Sequence, residues 1–146
     1  AKRGYLFTET KPLFPFGFGL SYTRFFYGAP RLRSEKVKPD ESTEVTVTVT
    51  NSGHCAGEEV VELYRRDQVA SVTRPVKLLK GFKRICLEPE ETGEVVFTIT
   101  PDMLSLWNRK MEWCLEPGLF DIMVGSSSEE TQTVILEVCS EFFDKP

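Results

Sequence analysis

Strict alternation of apolar and polar residues is the feature that most constrains how this chain can fold. From Val45 to Thr50 every valine is followed by a threonine, so one face of the segment is apolar and the other polar. The same period of two returns at Val95, Phe97 and Ile99. A repeat of two places alternate side chains on opposite faces of a β-strand, whereas a helix needs a repeat of about 3.6. The two segments therefore predict strands that each bury one face.

Other segments complete an all-β pattern. Turn residues at Asn51-Ser52-Gly53 and around Pro89 separate the alternating runs. Turn signals recur about every 8–12 residues, which predicts an immunoglobulin-like β-sandwich of about seven strands. The further predicted elements are a strand at 59–64, two short strands within 76–87 with a bend at Gly81, a helical turn within 101–107, a hairpin of 111–115 and 119–124 about Glu116-Pro117-Gly118, and a strand at 134–138.

Residues 1–23 differ in composition from the rest of the chain. Prolines and glycines break any regular repeat there, so we expect an extended leader, followed by a sandwich over residues 24–146. The leader also contains more aromatic side chains than water would tolerate, so they must pack on the sandwich or on a partner. These aromatic residues are Tyr5, Phe7, Phe14, Phe16, Phe18 and Tyr22.

Charge and hydropathy exclude several functional classes. The net charge of -4 and the isoelectric point of about 5.2 argue against nucleic-acid binding, which needs clustered Lys and Arg. No apolar run approaches the ~20 residues of a membrane helix, so no membrane partner is expected. The chain begins at Ala1 without an initiator Met or a signal peptide, which suits a piece of a longer chain. The basic pairs are expected on solvated strand edges; they are Arg31/Arg33, Arg65-Arg66 and Lys83-Arg84.

The four cysteines are too widely spaced to indicate a metal site. They are Cys55, Cys86, Cys114 and Cys139, without a CxxC pair, so neither zinc nor any other cofactor is expected. An even number also permits two disulfides in a secreted protein. We favour free thiols, buried or half buried, and hence a reducing cytoplasmic compartment, with secretion as the alternative.

A set of ordered motifs resembles one known family. The segment Phe14-Pro15-Phe16-Gly17-Phe18-Gly19-Leu20-Ser21-Tyr22-Thr23 resembles the approach to the last domain of family-3 glycoside hydrolases, the β-glucosidases and β-xylosidases. The later motifs occur in the same order as in that fibronectin type III-like domain, and the resemblance covers nearly the whole chain. Glu90 departs from the family's usual glycine after the turn proline. The later motifs are Glu59-Val60-Val61-Glu62-Leu63-Tyr64, Ser71-Val72-Thr73-Arg74-Pro75, Leu78-Leu79-Lys80-Gly81-Phe82, Glu116-Pro117-Gly118 and Val124-Gly125-Ser126-Ser127-Ser128, together with Trp107 and Trp113.

The resemblance implies a non-catalytic accessory domain of a retaining β-glycosidase. The family's catalytic Asp and its acid/base residue lie upstream, so the partners would be the catalytic domains of the same polypeptide, and no catalytic residue is assigned here. The isolated chain should hydrolyse nothing. A β-linked oligosaccharide at the domain interface is a further expected partner. The alternative function is a stand-alone carbohydrate- or protein-binding module.

Four residues are the candidates for contact with a partner or a sugar. Phe14, Phe16 and Phe18 would either anchor the leader on a neighbouring domain or form the rim of an upstream substrate site by stacking on a sugar ring. Arg74 would either brace the same interface or reach the sugar. Trp107 and Trp113 are expected in or near the core. The remaining polar candidates are expected to be structural, on solvated edges and turns; they are His54, Asp67 and the pairs Glu58-Glu59, Glu90-Glu91 and Glu129-Glu130.

Overall fold

The computed structural model of the protein describes residues 12–72 and 75–140. These segments form two packed sheets and a small separate hairpin. The elements are β1 (Phe25–Tyr27), β2 (Arg31–Leu32), β3 (Lys36–Val37), β4 (Thr43–Asn51), β5 (Gly57–Asp67), β6 (Leu78–Leu87), β7 (Thr92–Ile99), α1 (Pro101–Leu104), β8 (Leu106–Trp107), β9 (Trp113–Cys114), β10 (Gly118–Gly125) and β11 (Thr131–Val138). None of the described helices is long and apolar enough to cross a membrane.

The first sheet is built around β4. Strands β1 and β2 pair with one edge of β4, and β7 pairs with the other edge, all antiparallel. The predicted alternation sets the register, because Val47 lies opposite Val95 and Val45 opposite Phe97. Apolar side chains therefore share one face of this sheet.

The second sheet has the order β3-β11-β10-β5-β6. Only the β3–β11 pairing is parallel. On β5, Val61, Leu63 and Arg65 point into the molecule, so the intervening residues point outward. We call that outward side the outer face of the second sheet.

The core lies between the inner faces of the two sheets. Its side chains are almost fully excluded from solvent, which supplies the main driving force for folding. The predicted all-β sandwich is confirmed. The core residues are Val37, Val45, Val47, Val49, Val61, Leu63, Leu87, Val95, Phe97, Ile99, Leu104, Phe120, Ile122, Val124, Leu136 and Val138.

In the described part of the chain the two packed sheets contain nine strands and the separate hairpin two more, because short edge segments form strands of their own. Two local predictions about the strands were wrong. Strand β6 is continuous, and the bend expected at Gly81 is a β-bulge, since Leu63 pairs with Gly81 but Tyr64 with Leu79. Strand β9 pairs with β8 rather than with β10, so Glu116-Pro117-Gly118 connects two sheets and closes no hairpin.

Three expected burial states also differ from the structure. Arg65 is 4% exposed rather than solvated, because its guanidinium finds carbonyl partners inside the domain. Trp107 and Trp113 are exposed rather than in the core, because they lie on the outlying β8–β9 hairpin. The four cysteines are free thiols, but Cys55 and Cys86 are exposed, contrary to the expected burial.

Candidate functional site

The described part of the leader is attached to the outer face of the second sheet at Phe16 and Gly17. The Ser128 amide donates a hydrogen bond of 2.8 Å to the Phe16 carbonyl. Gly17 has φ 83°, a conformation that side chains disfavour. A Cβ atom at Gly17 would lie 2.6 and 2.8 Å from the Glu62 carboxylate oxygens, closer than real contacts allow. Only glycine therefore lets the leader approach β5 this closely.

Glu62 and Tyr64 form a buried polar pair on β5. The Tyr64 hydroxyl donates a 2.6 Å hydrogen bond to Glu62 Oε2, and both residues are less than 10% exposed. Burial, followed by the Glu62 hydrogen bond, raises the pKa of Tyr64 well above its usual range. Lys77 lies 5.9 Å from the Tyr64 ring centroid and donates to the Ser128 carbonyl. These contacts hold together β5 and the turn between β10 and β11, on which the leader rests.

A second attachment lies at Thr23, where the leader enters the sandwich. Thr23 is 7% exposed, and its hydroxyl donates a 2.5 Å hydrogen bond to Asn51 Oδ1. Cβ atoms at Gly53 and Gly57 would meet the Thr23 side chain at 2.1 and 2.7 Å. Thr23 therefore fits between two glycines, and the leader is fixed on both sides of residues 18–22.

Apolar side chains of the leader point away from the domain. Their exposure ranges from 50% to 103%, whereas large apolar side chains normally avoid water when they cluster. The Phe14 and Phe18 rings contact each other, with centroids 5.0 Å apart. Phe82, 69% exposed, is the cross-strand neighbour of Glu62 and so lies on the same outer face. We call the exposed leader residues the leader surface: Leu13, Phe14, Phe16, Phe18, Leu20 and Tyr22.

The structure thus brings together three of the four candidates from the sequence. Phe14, Phe16 and Phe18 share the leader surface, whereas Arg74 lies outside the described residues. The role of Glu62 was not foreseen. The sequence feature that could have revealed this role is the alternation along β5. It places Glu62 and Tyr64 on one face of the strand and Leu63 on the other.

Tyr27 and Glu59 form a second polar pair, half-buried between the two sheets, so Glu59 does not lie on the solvated edge that the sequence predicted. The Tyr27 hydroxyl donates a 2.6 Å hydrogen bond to Glu59 Oε1. Burial, then the bond to Glu59 and nearby acidic charge, raises the pKa of Tyr27 far above its usual range. Burial also raises the pKa of Glu59, and the Tyr27 hydrogen bond partly offsets that rise. Tyr27 therefore stays protonated in the folded state when an unfolded chain would lose its proton.

This difference predicts a loss of stability at alkaline pH. Between about pH 9 and 11 the unfolded tyrosine ionises while folded Tyr27 does not, so stability present below pH ~10 is lost as pH rises. Tyr27→Phe should reduce proton release on unfolding by about one per molecule. Urea denaturation at several pH values measures this slope, and Thr50→Ala is the control. If the free energy of unfolding depends on pH with the same slope in Tyr27→Phe and in the parent, the prediction is wrong.

The other polar candidates lie in structural positions, which are exposed except for the half-buried Asp67. Glu58 pairs with Arg84 at 3.1 Å, Glu91 accepts a hydrogen bond from the Glu88 amide, and His54 is exposed in a turn. Asp67 accepts a hydrogen bond from the Val69 amide at the start of the following loop. Within residues 12–72 and 75–140 no three His, Cys, Asp or Glu side chains are arranged to hold a metal ion.

Comparison with known proteins identifies the family. A model of the fibronectin type III-like domain matches residues 59–128. The chain is 49% identical over 139 residues to a β-xylosidase of Formosa agariphila and 42% identical over 136 residues to a β-glucosidase of Bacteroides ovatus, with 94% and 90% of the chain covered. The chain belongs to the fibronectin type III-like domains of family-3 glycoside hydrolases. The family resemblance seen in the sequence is therefore confirmed.

Solved structures agree with this assignment of the Fn3-like domain. A β-glucosidase from Listeria innocua in complex with glucose superposes with a TM-score of 0.87 at 37% identity over 94% of the chain. The GH3 β-glucosidase of Bifidobacterium adolescentis gives a TM-score of 0.79 at 30% identity over 90% of the chain. The domain spans 18–19% of the length of these four relatives. It thus corresponds to one small domain of much longer glycosidases.

Proposed function

We propose that this domain is a non-catalytic accessory domain of a β-glucosidase or β-xylosidase, which packs on the catalytic domains of the same polypeptide and stabilises them. The observation that carries the proposal is the leader surface. Its backbone is attached at Gly17 and Thr23, while its apolar side chains are exposed. A segment held in one shape loses little conformational entropy on docking, which favours a permanent interface.

The size of the leader surface also suits a domain interface. Each aromatic ring can bury ~150–250 Å², and the leader surface offers four such rings, with Phe82 on the same sheet face. The matched segment is less than a fifth of the length of these relatives. The rest of such a polypeptide would supply the apolar partner on which the leader surface docks.

A second part of the proposal concerns the outer substrate site. Phe16 has a fixed backbone and a ring that is 64% exposed, so its position is set before any partner binds. A ring held in this way would form a wall against which a sugar stacks. Shaping of the substrate site would then accompany docking.

We expect removal of the leader rings to destabilise the full-length enzyme that carries this domain. The double variant Phe14→Ala/Phe18→Ala should lose about 3 kcal/mol for each ring that is buried by the catalytic domains. Thermal unfolding followed by calorimetry measures the effect as a lower Tm. Gly17→Ala should give the same result, because a side chain there displaces the leader from Glu62 and Ser127.

Phe26→Ala is the matched control. Phe26 is 66% exposed, like Phe16, but lies on β1 of the first sheet, away from the leader surface. Equal Tm values for Phe26→Ala and the double variant would contradict the docking proposal. If Phe16→Ala changes the ratio of kcat/KM for aryl β-glucoside and aryl β-xyloside without lowering Tm, the ring belongs to the substrate site rather than to the interface.

A further inference from the structure

The β8–β9 hairpin carries both tryptophans of the chain on the surface. Trp107 is 54% and Trp113 45% exposed, and they lie directly opposite each other in the hairpin. Their ring centroids are 5.5 Å apart and their planes meet at 57°. Two contacting indole rings on a protein surface expose apolar area to water, and such clusters usually mark a contact with a ligand or a partner.

Hydrogen bonds hold this pair in place. The Trp113 indole Nε1 donates to Asp102 Oδ1 at 2.9 Å, which fixes the ring against α1. In the hairpin turn, Asn108 Oδ1 accepts from the Lys110 and Glu112 amides at 2.8 and 3.0 Å. The indole surface is therefore formed before any ligand arrives, which lowers the entropic cost of binding.

A depression lies at the turn of the tryptophan hairpin. Its volume is about 420 Å³, and its lining residues are Ser71, Asn108, Arg109, Lys110 and Glu116. Glu116 is oriented by hydrogen bonds from the Ser71 hydroxyl and amide. The depression thus offers both hydrogen-bond donors and acceptors, and Asn108 in its lining directly follows Trp107 in the chain.

The hairpin lies away from the Thr23 attachment of the leader. Thr23 contacts Gly57 at the start of β5, whereas Arg65, near the end of β5, binds the carbonyls of Leu104 and Ser105 directly before β8. Gly57 and Arg65 are about 26 Å apart along the extended strand. The Gly17 attachment is closer, since Glu62 lies three residues from Arg65, but Glu62 points to the outer face and Arg65 points inward. A catalytic domain docked on the outer face can therefore leave the hairpin open.

We propose that Trp107 and Trp113, with the adjacent depression, form a binding site for a β-linked oligosaccharide. Pyranose rings present C–H groups on their faces and hydroxyls on their edges. The faces would stack on the indoles, and the hydroxyls would bond Asn108, Arg109 and Glu116. The centroid separation is comparable to the length of one sugar unit, so the tilted rings can contact two successive sugars of a twisted chain. The ligand class rests on the proposed function, whereas the site rests on the exposed tryptophans.

Tryptophan fluorescence of the 146-residue chain tests the proposal, because both fluorophores lie in the site. Titration with xylohexaose or cellohexaose should change the emission saturably and protect it from acrylamide quenching. Maltohexaose, an α-linked glucan of the same length, should not. Trp107→Ala and Trp113→Ala should each weaken binding about tenfold or more, measured by calorimetry. Trp107→Phe and Trp113→Phe keep an aromatic face and should retain most of the affinity.

Phe26→Ala is the control, since it removes an exposed ring on β1, outside both the hairpin and the leader surface, and should bind like the parent. Absence of saturable binding to both β-linked hexaoses would overturn the proposal, as would equal loss in Phe26→Ala. In the full-length enzyme, retention on insoluble xylan or β-glucan should depend on Trp107 and Trp113. Retention that does not change when both are replaced would overturn the proposal for the intact enzyme. The failure of docking would appear separately, in the Tm of the leader variants.

Discussion

We expect Asn51→Ala to remove about 4 kcal/mol from the free energy of unfolding, much of the stability of a typical domain. Asn51 is completely buried and uses its whole hydrogen-bonding capacity. Its Oδ1 accepts from the Thr23 hydroxyl and the Gly53 amide at 2.5 and 3.1 Å. Its Nδ2 donates to the Cys55 and Leu87 carbonyls at 2.8 and 3.0 Å.

The size of this effect follows from what alanine leaves behind. The Thr23 hydroxyl and the Leu87 carbonyl lose their partner in the buried interior, where each unsatisfied group costs about 1–3 kcal/mol. The Gly53 amide and the Cys55 carbonyl lose theirs at half-buried positions and add less. Asn51→Asp should be no more stable than Asn51→Ala, because a carboxylate cannot donate hydrogen bonds to the two carbonyls. The leader should also loosen, since Thr23 loses its acceptor.

Urea denaturation measures the stability, and hydrogen exchange at residues 18–24 measures the loosening. Thr50→Ala is the matched control, because the Thr50 hydroxyl makes only an exposed bond of 2.7 Å to Thr92. It should cost less than about 0.5 kcal/mol. An Asn51→Ala variant as stable as Thr50→Ala would refute the assigned role.

Local pattern was sufficient to predict the sandwich. Val45, Val47 and Val49 are buried because alternation forces them onto one face, and no other element is needed to decide this. The aromatic leader was likewise recognisable, because its composition departs from that of the sandwich. Both predictions depend on residues that are neighbours in sequence.

Contacts between distant residues explain most of what the sequence did not reveal. The sequence predicts that Asn51 is a turn residue, yet its side chain donates a hydrogen bond to Leu87, 36 residues away. Nothing in the sequence marks Glu62 as buried, yet Tyr64 and the leader cover it. Trp113 reads as core, because large aromatic residues are usually buried, whereas its hairpin lies outside both sheets.

Strand β5 connects the two proposed surfaces. Gly57 makes room for Thr23, Glu62 meets Gly17, and Arg65 holds the segment that precedes the tryptophan hairpin. One strand of eleven residues thus positions the leader surface and the indole pair. Because β5 lies between β10 and β6 in the sheet, neither surface can shift without disturbing the core.

Arg65→Ala should be the most damaging substitution at the hairpin end of β5, with a loss of about 3 kcal/mol. The Arg65 guanidinium donates at 3.0 Å to each of the Leu104 and Ser105 carbonyls and lies 5.9 Å from the Phe120 ring centroid. Alanine leaves both carbonyls without this partner and a cavity beside Phe120. Arg65→Lys should recover only part of the loss, because an ammonium group lacks the planar fork that reaches two acceptors.

The tryptophans make the local consequence measurable. In Arg65→Ala the hairpin should detach before the sandwich unfolds, so the fluorescence transition in urea should precede the transition in far-ultraviolet circular dichroism. In the parent the two transitions should coincide, as expected for a single cooperative unit. Arg66→Ala is the control, because Arg66 is exposed and makes only a weak ion pair, with its Nε 4.0 Å from Asp121 Oδ2. The hairpin does not depend on Arg65 if the fluorescence and circular dichroism transitions of Arg65→Ala coincide and this variant is as stable as Arg66→Ala.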